Sequence, residues 1–133
     1  IQPWHFIVVK NKATLQKIAE ITPNARMAKE APLAIVVCGD MRNESNDLIR
    51  EFWVQDASAA TQNILLAAHA MELGAVWTGT YPAQNRCEAI SQLLNLPSSI
   101  IPFSTIVIGY PKETQQPKDK WKEENISYEV FGE

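Results

Sequence analysis

Four short runs rich in β-branched residues break up an otherwise mixed chain: WHFIVV (4–9), LAIVVC (33–38), AVWT (75–78) and STIVIG (104–109). Such runs read as strands. None alternates cleanly between apolar and polar positions, so each is predicted to be covered on both faces. Between them, apolar residues return at helical spacing. A first helix is predicted from an N-cap at Thr14 to about Ile21, with Leu15, Ile18 and Ala19 inward and Pro23 beyond its end. ARMAKEA (25–31) predicts a second, short helix stopped by Pro32.

The longest helical pattern runs from about 50 to 73, with Phe52, Ala57, Ala60, Ile64, Ala67, Ala68 and Met71 on one stripe. Gly74 supplies a left-handed stop to it. Its middle is rich in Ala and Ser, whose small side chains let a neighbouring backbone approach closely, in the core or at a subunit interface. A last helix is predicted over 84–95, with Cys87, Ile90, Leu93 and Leu94 inward, ending before Pro97. After Gly109 the chain turns polar and proline-broken, which reads as an extended tail closing on a short apolar ISYEVF. Strand–helix alternation alone would suggest a largely parallel sheet.

Composition narrows the function classes. The 133 residues are 46% hydrophobic and 20% charged with a formal net charge of −3, an ordinary single globular domain. The mild, mixed charge offers no basic stripe for a phosphate backbone, which argues against a nucleic-acid partner. No apolar run reaches membrane-spanning length. Cys38 ends an apolar strand and reads as a small core residue, and Cys87 has no usefully spaced partner. Unpaired cysteines suit a reducing, cytoplasmic setting.

Side-chain catalysis finds little support. His5 lies in an apolar strand and His69 on the long helix, neither with a neighbouring nucleophile or carboxylate. Asp119, Glu123 and Glu124 read as a solvated charged surface. WTGTY carries one glycine rather than the G-x-G-x-x-G of a nucleotide fold, so a Rossmann-type NAD domain is disfavoured. Three features do combine. Gln2-Pro3-Trp4 leads into a strand, and Gly79 lets a backbone turn approach a ligand closely. Lys118 and Lys120 are spaced to reach one anionic centre. Backbone N–H donors with paired lysines would suit a planar cofactor that carries a phosphate.

These segments lie in a recognisable order. QPWHFIVV, KEAPLAIVVCGD, FWVQDASAATQNILLAAHAMELGAVWTGTYP and IVIGYPKE together resemble the FMN-dependent nitroreductase family, over nearly the whole chain. The resemblance implies an α+β fold: a mixed or antiparallel sheet wrapped by helices in an intertwined homodimer, with FMN at the interface. It therefore displaces the parallel-sheet expectation. It also implies that 1–133 is a single nitroreductase-like domain lacking its N-terminal helix and phosphate-binding segment.

Carried over by position, the turn Thr78-Gly79-Thr80 would give a backbone N–H to flavin N5. Trp77 and Tyr81 would pack around the site, with Gln2, Pro3 and Trp4 along the flavin pocket. Asn24 matches an amide placed against the polar edge of the ring, and Lys118 and Lys120 match a basic pair on the FMN phosphate. The implied activity is ping-pong transfer of hydride from NADH or NADPH through FMN to a nitroaromatic, quinone or similar small-molecule acceptor. That cycle asks for no catalytic side chain and no metal. Within flavin chemistry the same scaffold also serves dehalogenation, enone reduction and flavin breakdown. A reading of another class is a degenerate member acting as a flavin-binding or regulatory dimer without reductase activity. A flavin spectrum that bleaches with NADH or NADPH and recovers with a nitroaromatic or quinone separates the enzyme from it.

Overall fold

Strands form where the sequence predicts them. The structure is a computed structural model that describes residues 2–43 and 46–132, with backbone alone at 48 and 49. The order of elements is β1 (Trp4–Val9), α1 (Lys12–Ile21), a 3-10 turn Pro23–Lys29, β2 (Leu33–Asp40), α2 (Asp47–Ala70), β3 (Gly74–Gly79), α3 (Gln84–Leu94) and β4 (Ile100–Gly109).

The strands make one four-stranded sheet in the order β1-β2-β4-β3, and every neighbouring pair is antiparallel. This is an α+β fold of the antiparallel kind, and the parallel sheet suggested by strand–helix alternation does not form. The reason lies in the connections. The segment between β1 and β2 runs out as α1 and back as the 3-10 turn, so β2 starts beside Val9, where β1 stopped. Similarly, β4 returns beside the end of β3. Only α2 spans the sheet, carrying the chain from the end of β2 to the start of β3. Those two strands do point the same way, with β4 inserted between them.

Each sheet face carries its own core. On one, α1, the 3-10 turn and α3 pack Leu15, Ile18, Ala25, Ala28 and Ile90 against Val9, Ala34, Val36 and Val107. On the other, α2 packs Trp53 and Ala57 against Val37, Phe103, Ile106 and Ile108. The central strands β2 and β4 are therefore covered on both faces, as predicted. The outer strands are not: Phe6 and Val8 of β1 and Val76 and Trp77 of β3 are exposed.

Three local expectations are corrected. The N-cap of α1 is Asn11, whose Oδ1 accepts the Thr14 N–H at 3.1 Å, so the helix begins a turn earlier than a Thr14 cap allows. The inner stripe of α2 runs through Trp53, Ala57, Thr61 and Ala68, while Phe52 and Met71 face outward. With small residues on several sides, the apolar phase of this helix is weakly defined. Its left-handed stop falls at Glu72 (φ 60°), and Gly74 already belongs to β3. The last residues, 110–132, are exposed and carry only the 3-10 turn Glu123–Asn125, in keeping with the predicted tail.

Candidate cofactor site at the open end of the sheet

The start of β1, the end of β2, the start of β4 and the end of β3 converge at one end of the sheet. This end holds Gln2, Pro3 and Trp4 at one edge and Thr78, Gly79 and Thr80 at the other. Pro3 is buried and its carbonyl accepts the Asp40 N–H at 2.9 Å, while Gln2 adopts φ 63° and is exposed.

Gly79 is the most distinctive position. Thr80 N–H donates to Phe103 O at 3.1 Å, so Thr80 points its backbone into the sheet. Neighbouring residues of a strand point their backbone groups in opposite directions. Gly79 therefore turns its N–H and C=O outward along the free edge of β3, and its carbonyl accepts from Arg86 Nη1 at 3.1 Å. A Cβ at Gly79 would meet no atom within 4 Å, so the space over it is open. Two aromatics flank that space on the α2 side. Trp77 leans towards Phe103 (ring centroids 6.0 Å apart) and Tyr81 lies edge-on to Trp53 (4.8 Å). Both are more than a third exposed, at 37% and 39%. The result is a side-chain-free gap between two aromatic walls, with a backbone donor on its edge.

The two threonines serve the fold. Thr78 is buried and its hydroxyl donates to Thr105 O at 2.7 Å; Thr80 is buried as well. Their side chains stay inside and only the backbone between them is presented outward. Behind the wall, Thr61 and Ser104 hydroxyls pair at 2.9 Å, which satisfies both polar groups of the α2–β4 contact.

The remaining sequence-derived residues are not gathered here. Asn24 is exposed on the 3-10 turn and, among the described residues, its side chain makes no hydrogen bond. Lys118 and Lys120 lie on the exposed tail, without an ion pair among the described residues. The tail leaves from the other end of the sheet, where Lys112 meets Glu30 at 3.7 Å. The nine residue steps from Gly109 to Lys118 are enough extended chain to cover about 30 Å. Gln2 and Trp4 share the end of the sheet with Gly79 but lie on its opposite edge. One contributor escaped sequence reasoning: Arg86, an arginine that otherwise reads as solvated. Tyr81 is expected beside the site, but its contact with Trp53, distant in the chain, is not legible locally.

Asp40 and Arg42 close the same end. Their side chains meet at 2.5 Å and 2.9 Å, and this hydrogen bonding holds the Asp40 carboxyl down at a pKa of about 2. A carboxyl depressed in the folded state stabilises above its unfolded pKa, and that stabilisation is lost as pH falls from about 4 towards 2. Asp40→Asn is expected to flatten this acid branch, read as urea midpoints across that pH range. Because Arg42 is half exposed, the effect is small and shrinks with salt.

Burial pushes the Cys38 thiol up to about 12, which leaves it unreactive. Among the described residues no group of His, Cys, Asp or Glu could hold a metal ion, and no helix is long and apolar enough to cross a membrane.

Fold and candidate site together describe a class: an antiparallel α+β domain with an exposed backbone edge at Gly79, flanked by Trp77 and Tyr81. Comparison with known proteins narrows the class. The family model described as the nitroreductase family matches residues 22–110. A protein of Methanothermobacter thermautotrophicus, provisionally named NADH dehydrogenase/NAD(P)H nitroreductase, is 51% identical over 130 residues, 98% of this chain and 66% of its own. A crystal structure under the same provisional name from Bacteroides thetaiotaomicron superposes with a TM-score of 0.89 at 43% identity, covering 97% of this chain and 73% of that one. An FMN-dependent nitroreductase from Clostridium difficile R20291 superposes with a TM-score of 0.86 at 28% identity, covering 98% and 78%. The chain belongs to the nitroreductase family. It spans just under two thirds of the length of two curated relatives, 66% of the first and 63% of one from Archaeoglobus fulgidus, and about half or less of others.

Proposed function

We propose that the protein is an FMN-dependent oxidoreductase that uses NADH or NADPH to reduce flat electrophilic acceptors, such as nitroaromatics or quinones, in a ping-pong cycle. The observation that carries this reading is the Gly79 edge: an outward N–H beside a gap that no Cβ fills, between Trp77 and Tyr81. A flat ring fits such a gap. FMN, when bound, supplies the hydride relay between nicotinamide and acceptor.

The chain's own residues would position and select. Gly79 N–H would donate to the reducible edge of the ring, a fixed donor that needs no titrating group. Trp77 and Tyr81 would exclude water and stack against flat molecules. Asn24 would offer its amide, both donor and acceptor, to the pyrimidine edge. Lys118 and Lys120 would reach the phosphate from the mobile-length tail. Gln2, Pro3 and Trp4 sit on the far edge of the sheet from Gly79, and the tail finds few contacts within its own chain. A homodimer fits both facts, with the β1 edge and tail of one copy completing the site of the other.

The lysines test the binding half of this reading. Lys118→Ala and Lys120→Ala are each expected to weaken FMN binding by about tenfold, as loss of a charge-assisted hydrogen bond does. Flavin fluorescence quenching across a salt series measures it, and the double variant should show a shallower salt dependence. Unchanged affinity in the double variant would place both lysines in solvent.

A further inference from the structure

The geometry points to Arg86 as a positioning residue for the Gly79 edge, holding its backbone and setting a positive charge beside the cofactor's reducible edge. This rests on the FMN reading above. Arg86 lies in the first turn of α3, seven residues after Gly79, and its Nη1 donates to the Gly79 carbonyl at 3.1 Å. In a strand, the N–H and C=O of one residue point to the same side. The guanidinium that caps this carbonyl therefore stands on the same side as the outward N–H, next to the gap rather than behind the sheet.

Two further facts favour a charge kept for that place. Among the described residues no carboxylate lies within ion-pair distance of Arg86, so none of them neutralises the cation. Arg86 also presents several donors in a rigid fork, and the carbonyl takes only one of them. Its neighbours in the same turn are engaged elsewhere, Gln84 donating to Glu88 at 3.0 Å.

The chemistry follows from charge balance. Accepting hydride from NAD(P)H, which leaves as NAD(P)+, puts two electrons and one hydrogen on the ring, and hence one negative charge. A cation beside the ring favours that reduced form over the neutral oxidised one. Arg86 thereby raises the reduction potential without touching substrate, while its hydrogen bond keeps the Gly79 N–H aimed at the ring.

The test compares the purified full-length holoprotein with Arg86→Met and Arg86→Lys by anaerobic dye-coupled reduction, with thermal melts as a check on folding. The two-electron midpoint potential of Arg86→Met is expected to fall by about 30 mV, which corresponds to a tenfold change in the equilibrium. Arg86→Lys, which retains the charge, is expected to recover at least half of that shift. A folded Arg86→Met variant with the wild-type potential overturns the proposal, as does an Arg86→Lys variant as low as Arg86→Met. If Arg86→Met loses its fold, Arg86→Gln keeps a donor for the carbonyl without the charge and is read against the same limits. A wild-type protein that neither contains nor takes up FMN fails the proposed function instead, so the two failures are distinct.

Discussion

Gly79→Pro is expected to slow reduction of the bound flavin by NAD(P)H by about a hundredfold to a thousandfold, the usual loss when one preorganised donor is removed. The substitution is informative because the fold should tolerate it. Proline lacks the N–H, but at Gly79 that group points off the free edge of β3, and edge strands accept proline in this orientation. Thr78, the residue before it, is already extended, as a residue preceding proline must be. The carbonyl that Arg86 holds is retained. Gly79→Ala is the companion variant. It keeps the N–H and places its Cβ in open space, so stability should stay within about 0.5 kcal/mol of wild type. Stopped-flow bleaching of the flavin reads the rate against wild type, and a Gly79→Pro protein that reduces as fast as wild type would remove the N–H from the mechanism.

The largest stability effect is expected at Gly39. A Cβ there would stand 2.8 Å from Cζ3 and 3.0 Å from Cδ2 of Trp53, and closer still to Cε3. Moving the indole would disturb its edge-on contacts with Phe103 and Tyr81. Gly39→Ala should therefore cost about 2–3 kcal/mol, the range of an overpacked core. At this chain length that lowers Tm by roughly 8–10 °C. Trp53→Ala alone should cost about 3–5 kcal/mol. In the double variant the clash is gone, so the combined cost should fall well below the sum of the two. Additive costs would show that Gly39 and Trp53 do not compete for the same space. Since Trp53 backs Tyr81, either variant should also loosen the aromatic wall of the site.

Much of the fold is legible in the sequence because strand and helix runs are local. WHFIVV marks β1 to the residue and LAIVVC misses only the last two residues of β2, while STIVIG starts four residues inside β4; Asn95 closes α3 in the left-handed conformation close to the expected end. What is not local is not legible. Alternation alone suggests a parallel sheet, and nothing local says that β4 slides between β2 and β3. That arrangement follows from the out-and-back connections and from the family resemblance. The phase of α2 slipped by one residue at Phe52 and Trp53 because both are large and apolar, and only the depth of Gly39 decides which turns inward.

The site divides in the same way. Gly79 stands out by type and by resemblance, and the fold adds the direction of its N–H. Arg86 does not stand out, because its partner is a backbone carbonyl that faces it only once the turn between them has formed. Lys118, Lys120 and Asn24 remain apart from Gly79 within one chain, since what would gather them is a cofactor and a second copy.

One measurement bears on the central claim most directly: the visible spectrum of the purified full-length protein, with released cofactor identified by mass, before and after anaerobic NADH or NADPH. The account predicts bound FMN whose absorption bleaches with the nicotinamide and recovers when a nitroaromatic or quinone is added. A colourless protein that takes up no FMN, or a bound flavin that neither nicotinamide reduces, would contradict it.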